Sequence, residues 1–253
     1  MGDTYDVFGL STLPEDIGAY TDARDADVTT LFLLPSLLCD CEAVCFDYRA
    51  RRCDFPSAAM AAAIFLVRVR GLPLDECEVL CGGEIYTVTF DENGGKCEIL
   101  LKKCKEMYEI SPGLYRNVEV KRWKAIDGQG EVLMLPTADA SEINSDSLRL
   151  ACLPESGAIR MVVALSIDDG EICVRYLPVG AAPGQACRAV VMAATYAMRF
   201  RGVSGAVHLL ASDCRGGAAV SFYARSRPGG ISICADDPPP AVLYAPDGNF
   251  DFL

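Results

Sequence analysis

CDFPSAAMAAAIFLVRVRG, residues 53 to 71, is a helix-length apolar run without a polar face. Counting forward 131 positions, from Gly71 to Gly202, brings up QACRAVVMAATYAMRFRG, in which Ala62, Ala63, Arg68, Arg70 and Gly71 are matched by Ala193, Ala194, Arg199, Arg201 and Gly202. A helix that is apolar all round has to be covered on every side. The chain therefore needs two enclosures.

The repeat extends past the helices in a constant order. Before each helix stands a β-prone piece, AVCFDYR at 43 to 49 and EICVRYL at 171 to 177. After each comes a strand, a Gly-Gly pair and another strand, ECEVLCGGEIYTVTF in the first half and AVHLLASDCRGGAAVSFYA in the second. A further Gly-Gly turn, in ENGG and RPGG, leads into GGKCEILLK and GGISICA, as hairpin reversals require. The reading is an internal duplication with an α+β fold: two pseudo-symmetric lobes, each a curled, mostly antiparallel sheet around a buried central helix. The pattern breaks at ISPGLYRNVEVKRWKAIDGQG, 110 to 130, which sets the expected lobes at 1–110, with a helix over about 56–70, and 111–253, with a helix over about 187–201. TADASEINSDS reads as a polar loop, and PDGNFDFL as an edge strand returning to the first lobe.

With 35 acidic and 23 basic residues in 253, the net charge of −12 repels phosphate backbones and excludes nucleic acid as a partner. MGDTYDVFGLS has neither a basic nor an apolar segment of a leader, and no apolar run reaches the ~20 residues that cross a bilayer, so a cytosolic protein without membrane association is expected. Thirteen cysteines there are reduced thiols, mostly core filler. CDCEAVC does not read as a metal site: Cys39, Cys41 and Cys45 fall on one face of a strand with Ala43, with no histidine or second Cys-x-x-Cys pair nearby. His208, the only histidine, lies in a predicted strand and reads as structural.

Chemistry concentrates at the helix starts. Two helix N-termini aimed at a shared cleft suit a carboxylate, and a thiol there falls below its ordinary pKa of about 8.5, which makes it a usable base. Cys187 opens the second helix. In the first, Pro56 suits the first helical position, and Asp54 is placed to cap the helix or to act as an acid or base.

From about residue 27 onward the chain resembles the diaminopimelate epimerases and their cofactor-independent racemase and isomerase relatives. The resemblance rests on the double repeat, on ICVRYLPVGAAPGQACRAVVMAATYAMRFRGV, on LVRVRGL followed by a strand and GGE, and on RPGGISICADDPPPAVLYAPDGNFDF. It implies two cysteines, one at each helix start, exchanging an α-proton from opposite faces, with the carboxylate held on a Cys-Gly-x-Gly loop. Cys187 matches the second cysteine; Pro56 stands at the place of the first, with Cys53 three residues earlier. The loop glycines are replaced in CRAVV and PSAAM, the ammonium-holding Glu-Arg pair falls on Pro178 and Val179, and the Asn-Pro-His element would fall near LPESG, 153 to 157. The resemblance thus implies an isomerase or epimerase acting on a small carboxylate or amino acid, without cofactor or metal, and a homodimer by analogy. Its catalytic candidates are Cys187, Cys53 and Asp54, and its substrate-binding candidates Ser57, Arg188 and Gln185. The alternative is a lapsed member that keeps the two-lobed shell for binding or assembly.

Overall fold

The computed structural model describes residues 4–21, 28–53, 56–91, 97–102, 104–115, 118–152, 158–179, 185–216, 219–235 and 241–243. The chain divides into two units: 1–100 with 182–185 and 237–253, and 101–181 with 186–236.

In chain order the elements are β1 (Thr4–Gly9), α1 (Gly18–Thr21), β2 (Val28–Leu34), β3 (Cys41–Phe46), β4 (Arg52–Cys53), α2 (Pro56–Ile64), β5 (Glu76–Cys81), β6 (Glu84–Phe90) and β7 (Cys97–Lys102). There follow β8 (Glu106–Tyr115), β9 (Val118–Asp127), β10 (Gly130–Pro136), α3 (Ser145–Cys152), β11 (Ile159–Asp168) and β12 (Glu171–Pro178). The last are α4 (Ala186–Phe200), β13 (Ala206–Asp213), β14 (Val220–Arg227), β15 (Gly230–Ala235) and β16 (Ala241–Leu243).

In the first unit the strands lie in the order β16-β1-β2-β3-β5-β6-β7, with β4 beside β3; in the second the order is β8-β9-β10-β11-β12-β13-β14-β15. One pairing scheme appears in both. β1/β2 and β10/β11 are parallel, β2/β3 and β11/β12 antiparallel, and β3/β5 and β12/β13 parallel. β5/β6 and β13/β14, then β6/β7 and β14/β15, are antiparallel. Parallel neighbours need a long connection. Each central helix is that crossover, α2 between β3 and β5 and α4 between β12 and β13.

The burial follows the sequence. Every residue of α2 is buried, as are Ala186 to Ala197 of α4. α2 touches β1, β2, β3, β5 and β6, and α4 touches β11 to β15. Five strands span roughly 19 Å, whereas a helix with its side chains is only about 10–12 Å across. The sheet must therefore curl around the helix, and Ala62, Ala63, Ala193 and Ala194, all fully buried, let it come close.

The repeated Arg-Gly has a backbone cause. After α2 the helix widens into a π turn over Phe65–Val69, and Leu72 N–H reaches back to Leu66 O across Gly71, whose φ is +70°. After α4, Val203 N–H reaches Ala197 O across Gly202, at φ +67°. Both ends share the six-residue return that puts a left-handed residue just past the helix.

One reading of the sequence changes. TADASEINSDS is not wholly a loop: α3 starts at Ser145, because Asn144 Oδ1 accepts the N–H and the hydroxyl of Ser147, at 3.0 and 2.8 Å. The polar residues that suggested a loop are a helix cap. Leu148 of α3 then packs with Leu133, Leu135, Ile143, Val162 and Leu177. At the end of the chain, the strand beside β1 is Ala241–Leu243, while PDGNFDFL lies outside the described residues.

Gly202→Ala places no Cβ within 4 Å of another atom, so its cost is that of a left-handed alanine alone, about 1–2 kcal/mol. Urea unfolding checks it through the single tryptophan, Trp123, whose ring lies 5.4 Å from Tyr196 and 4.3 Å from Phe200 of α4.

Candidate active site at the helix starts

Cys187 is the second residue of α4 and is 3% exposed. Its backbone N–H belongs to the first turn, where no intrahelical carbonyl is available and the helix dipole is positive. Gln185, immediately before the helix, is buried as well.

Arg188 follows, and its side chain is held within the second unit. Its Nε donates to Asp127 Oδ2 and its Nη2 to Asp127 Oδ1, each at 2.7 Å, while Nη2 also reaches Gly130 O at 3.3 Å. Asp127 ends β9, and its Oδ1 also accepts the N–H of Gln129 at 2.8 Å. This fork-to-fork pair, with Arg188 5% and Asp127 18% exposed, fastens the start of α4 to the β9–β10 turn. A residue read from sequence as a substrate contact thus has its guanidinium on a carboxylate 61 positions away.

At the first helix start, α2 opens on Pro56, which suits its lack of an N–H. Ser57 is buried. Cys53 is buried in β4; its thiol donates to Arg51 O at 3.3 Å, and its carbonyl accepts the thiol of Cys45, which stands opposite in the β3/β4 register. Asp54 lies outside the described residues. Between β3 and β4, buried Asp47 accepts the N–H groups of Arg49 and Arg51 at 2.9 and 3.0 Å and the Arg51 Nε at 2.8 Å, shaping the approach to β4.

Three thiols of this unit, Cys41, Cys45 and Cys77, are set against ionisation. Burial, then the neighbouring Cys53 and Cys81, pushes Cys45 well above its ordinary value. Burial, then Cys77 and the other acidic neighbours, does the same to Cys41. Cys77 is pushed up to about 12 by burial and then by Asp40. Thiols of this kind are poor nucleophiles, bases and metal ligands at neutral pH. In CDCEAVC, Cys41, Ala43 and Cys45 are buried together, while Cys39 precedes the strand and donates to Cys41 O at 3.1 Å. No cluster of three His, Cys, Asp or Glu suited to a metal occurs among the described residues.

No protein-family model matches the chain, and no curated protein matches it by sequence. Solved structures do match. A phenazine biosynthesis PhzC/PhzF protein from Clostridium difficile aligns over 89% of this chain and 86% of its own, at 13% identity and a TM-score of 0.63. A predicted epimerase from Pseudomonas aeruginosa aligns over 90% and 88%, at 14% identity and 0.59. A hydroxyproline epimerase from Agrobacterium vitis, with bound trans-4-hydroxy-L-proline, aligns over 83% and 73%, at 12% identity and 0.54. The chain has the diaminopimelate epimerase-like fold. Identities this low establish the fold alone. No described helix is long and apolar enough to cross a membrane.

Two outcomes follow from the site. Arg188→Ala strips a mostly buried carboxylate of its partner and lowers stability by about 3 kcal/mol, whereas Arg188→Lys recovers only part, since an ammonium does not bridge both oxygens. Urea unfolding monitored by Trp123 fluorescence, with Asp127→Ala and the double variant closing the cycle, measures both. Alkaline pH acts on the thiols. A thiol raised in the folded state keeps a proton that the unfolded chain loses above about pH 9, so stability is complete below that pH and declines as pH climbs toward 12, by up to about 1.4 kcal/mol per unit for each such thiol. Urea midpoints at pH 8, 9 and 10 read this slope by circular dichroism. Cys77→Ala makes it shallower.

Proposed function

We propose that the chain is a cofactor-independent isomerase that moves a proton on a small carboxylate or amino acid, with Cys187 as the base. One observation carries the reading: in a diaminopimelate epimerase-like fold, a cysteine occupies the second position of the second central helix, where the resemblance places a catalytic thiol. A helix N-terminus, with its positive dipole end, suits a carboxylate. The thiolate takes the α-proton, and the electron pair passes into the carboxylate or an adjoining double bond. A conjugate acid then returns a proton.

Pro56 leaves no thiol at the start of α2, so a one-base proton shift fits this chain better than two-base racemisation of diaminopimelate. Three features favour a second reading, a lapsed enzyme kept for binding or assembly: Pro56 itself, Arg188 where the family has a loop glycine, and the near-complete burial of Cys187.

Proton NMR in deuterated water decides between them. The panel holds meso- and LL-diaminopimelate, the common amino acids, proline, trans-4-hydroxyproline, and unsaturated and keto-bearing carboxylates. Under the isomerase reading, the α-proton signal of at least one compound fades, and Cys187→Ala slows the loss by about 10²–10⁴-fold, the usual contribution of a general base. Exchange unchanged in Cys187→Ala, or none across the panel, favours the second reading.

A further inference from the structure

On the face of the second unit's sheet turned away from α4, three adjacent strands bring together residues that the helix starts do not use. Glu171 on β12 and His208 on β13 are register partners, and Tyr223 on β14 is the partner of His208 on the other side. Side chains alternate along a strand, so Ser221 shares the face of Tyr223. The Nε2 of His208 lies 2.8 Å from the Oγ of Ser221, and its Nδ1 lies 3.8 Å from Glu171 Oε1. The side chains of His208 and Glu171 are 31% and 49% exposed, which leaves the group open to a molecule arriving from solvent.

We propose that Ser221 and His208, positioned by Glu171, form a nucleophilic site for acyl transfer from small aryl esters, separate from the helix starts. The geometry supplies a hydroxyl on a base and a carboxylate near that base. The serine and imidazole stand at the 2.6–3.2 Å separation at which a base takes a hydroxyl proton. Glu171 Oε1 stands 3.8 Å from the other ring nitrogen, beyond hydrogen-bond range, so the carboxylate acts on the imidazole through its field, which favours a proton on Nδ1 and leaves Nε2 to accept. Tyr223, its ring centroid 5.0 Å from that of His208 and tilted 35°, offers an exposed flat surface to an aryl leaving group. Arg225, exposed on the same strand face, adds a cation one register step further on.

The chemistry closes without a co-reactant other than water. Ser221 Oγ bonds to the ester carbonyl carbon as its proton passes to His208 Nε2. The C–O bond to the aryl group then breaks, and the imidazolium returns the proton to the departing phenoxide. Water repeats the sequence on the acyl-serine, regenerating the hydroxyl and releasing the acid. Ser221 and His208 touch the reacting atoms; Glu171 acts through the imidazole.

The test uses the full chain, a fluorophosphonate probe and p-nitrophenyl acetate. The expected result is a probe adduct mapped to Ser221 by peptide mass spectrometry, and ester hydrolysis that Cys187→Ala leaves unchanged. Ser221→Ala abolishes both, and His208→Ala slows acylation by about 10²-fold or more. Glu171→Gln lowers the acylation rate constant without changing the ester concentration at half saturation, and Glu171→Asp restores part of it. A merely structural Glu171 would not give that split. An adduct on any other residue, or hydrolysis by Ser221→Ala equal to wild type, overturns the proposal. Circular dichroism of Ser221→Ala, a loss of one oxygen, excludes unfolding as the cause.

Discussion

Two helices without a polar face set the terms for everything else in this molecule. Neither α2 nor the first twelve residues of α4 can meet water, so each needs a sheet that bends around it rather than one laid against it. Bending in turn demands small side chains where the strands come closest, and the matched alanine pairs supply them. It also buries both helix starts, while the last turns, Arg68 to Gly71 and Arg199 to Gly202, stay at the surface. There the backbone closes on itself by the returns across Gly71 and Gly202, and at the buried start of α2 proline removes one donor.

The two helix starts answer that demand differently. Proline removes an N–H at the start of α2, which relieves one unsatisfied donor and at the same time takes one anion-binding donor from that helix start. At the start of α4 the N–H groups remain, and the neighbouring position carries Arg188 in place of a glycine. Its guanidinium goes to Asp127, away from the role of a surface-seeking cation, so the pair neutralises two charges near Cys187 without presenting either to a ligand. Under the isomerase reading, polar recognition at this helix start falls to backbone groups and to the thiol.

Much of this was legible in the sequence, and the legible parts share a cause. Gly71 and Gly202 stand out because only glycine accepts a left-handed backbone cheaply, so their spacing from the alanines carries the helix length with it. The first helix was expected over about 56–70, and the helical turns run from Pro56 through Val69; the second was expected over about 187–201 and runs from Ala186 to Phe200. Local chemistry of this kind is written in adjacent letters. The Arg188–Asp127 pair joins positions 61 apart, and nothing near either residue announces it. The cap at Asn144 was visible in principle, because Asn-Ser-Asp-Ser before a leucine is helix-start grammar as well as loop composition. His208 looked structural because a histidine in a strand has no partner until the register of β12, β13 and β14 is known.

That asymmetry between the two helix starts also constrains the chemistry open to the chain. A racemase needs an acid and a base on opposite faces of one carbon, each able to change protonation state near neutrality. The described thiols of the first unit that burial lifts, Cys41, Cys45 and Cys77, hold their protons too tightly to serve as the base in either direction. A proton shift between two carbons on one face asks less, since the thiol that removes the proton is also the acid that delivers it, and its two protonation states alternate within one turnover. Such a reaction needs a substrate in which a double bond or carbonyl lies next to the acidic carbon, so that the electron pair has somewhere to go while the proton moves. Free α-amino acids lack that feature apart from their carboxylate. Unsaturated or keto-bearing carboxylates possess it, so under the isomerase reading they are the class of substrate that a single thiol at this helix start would serve.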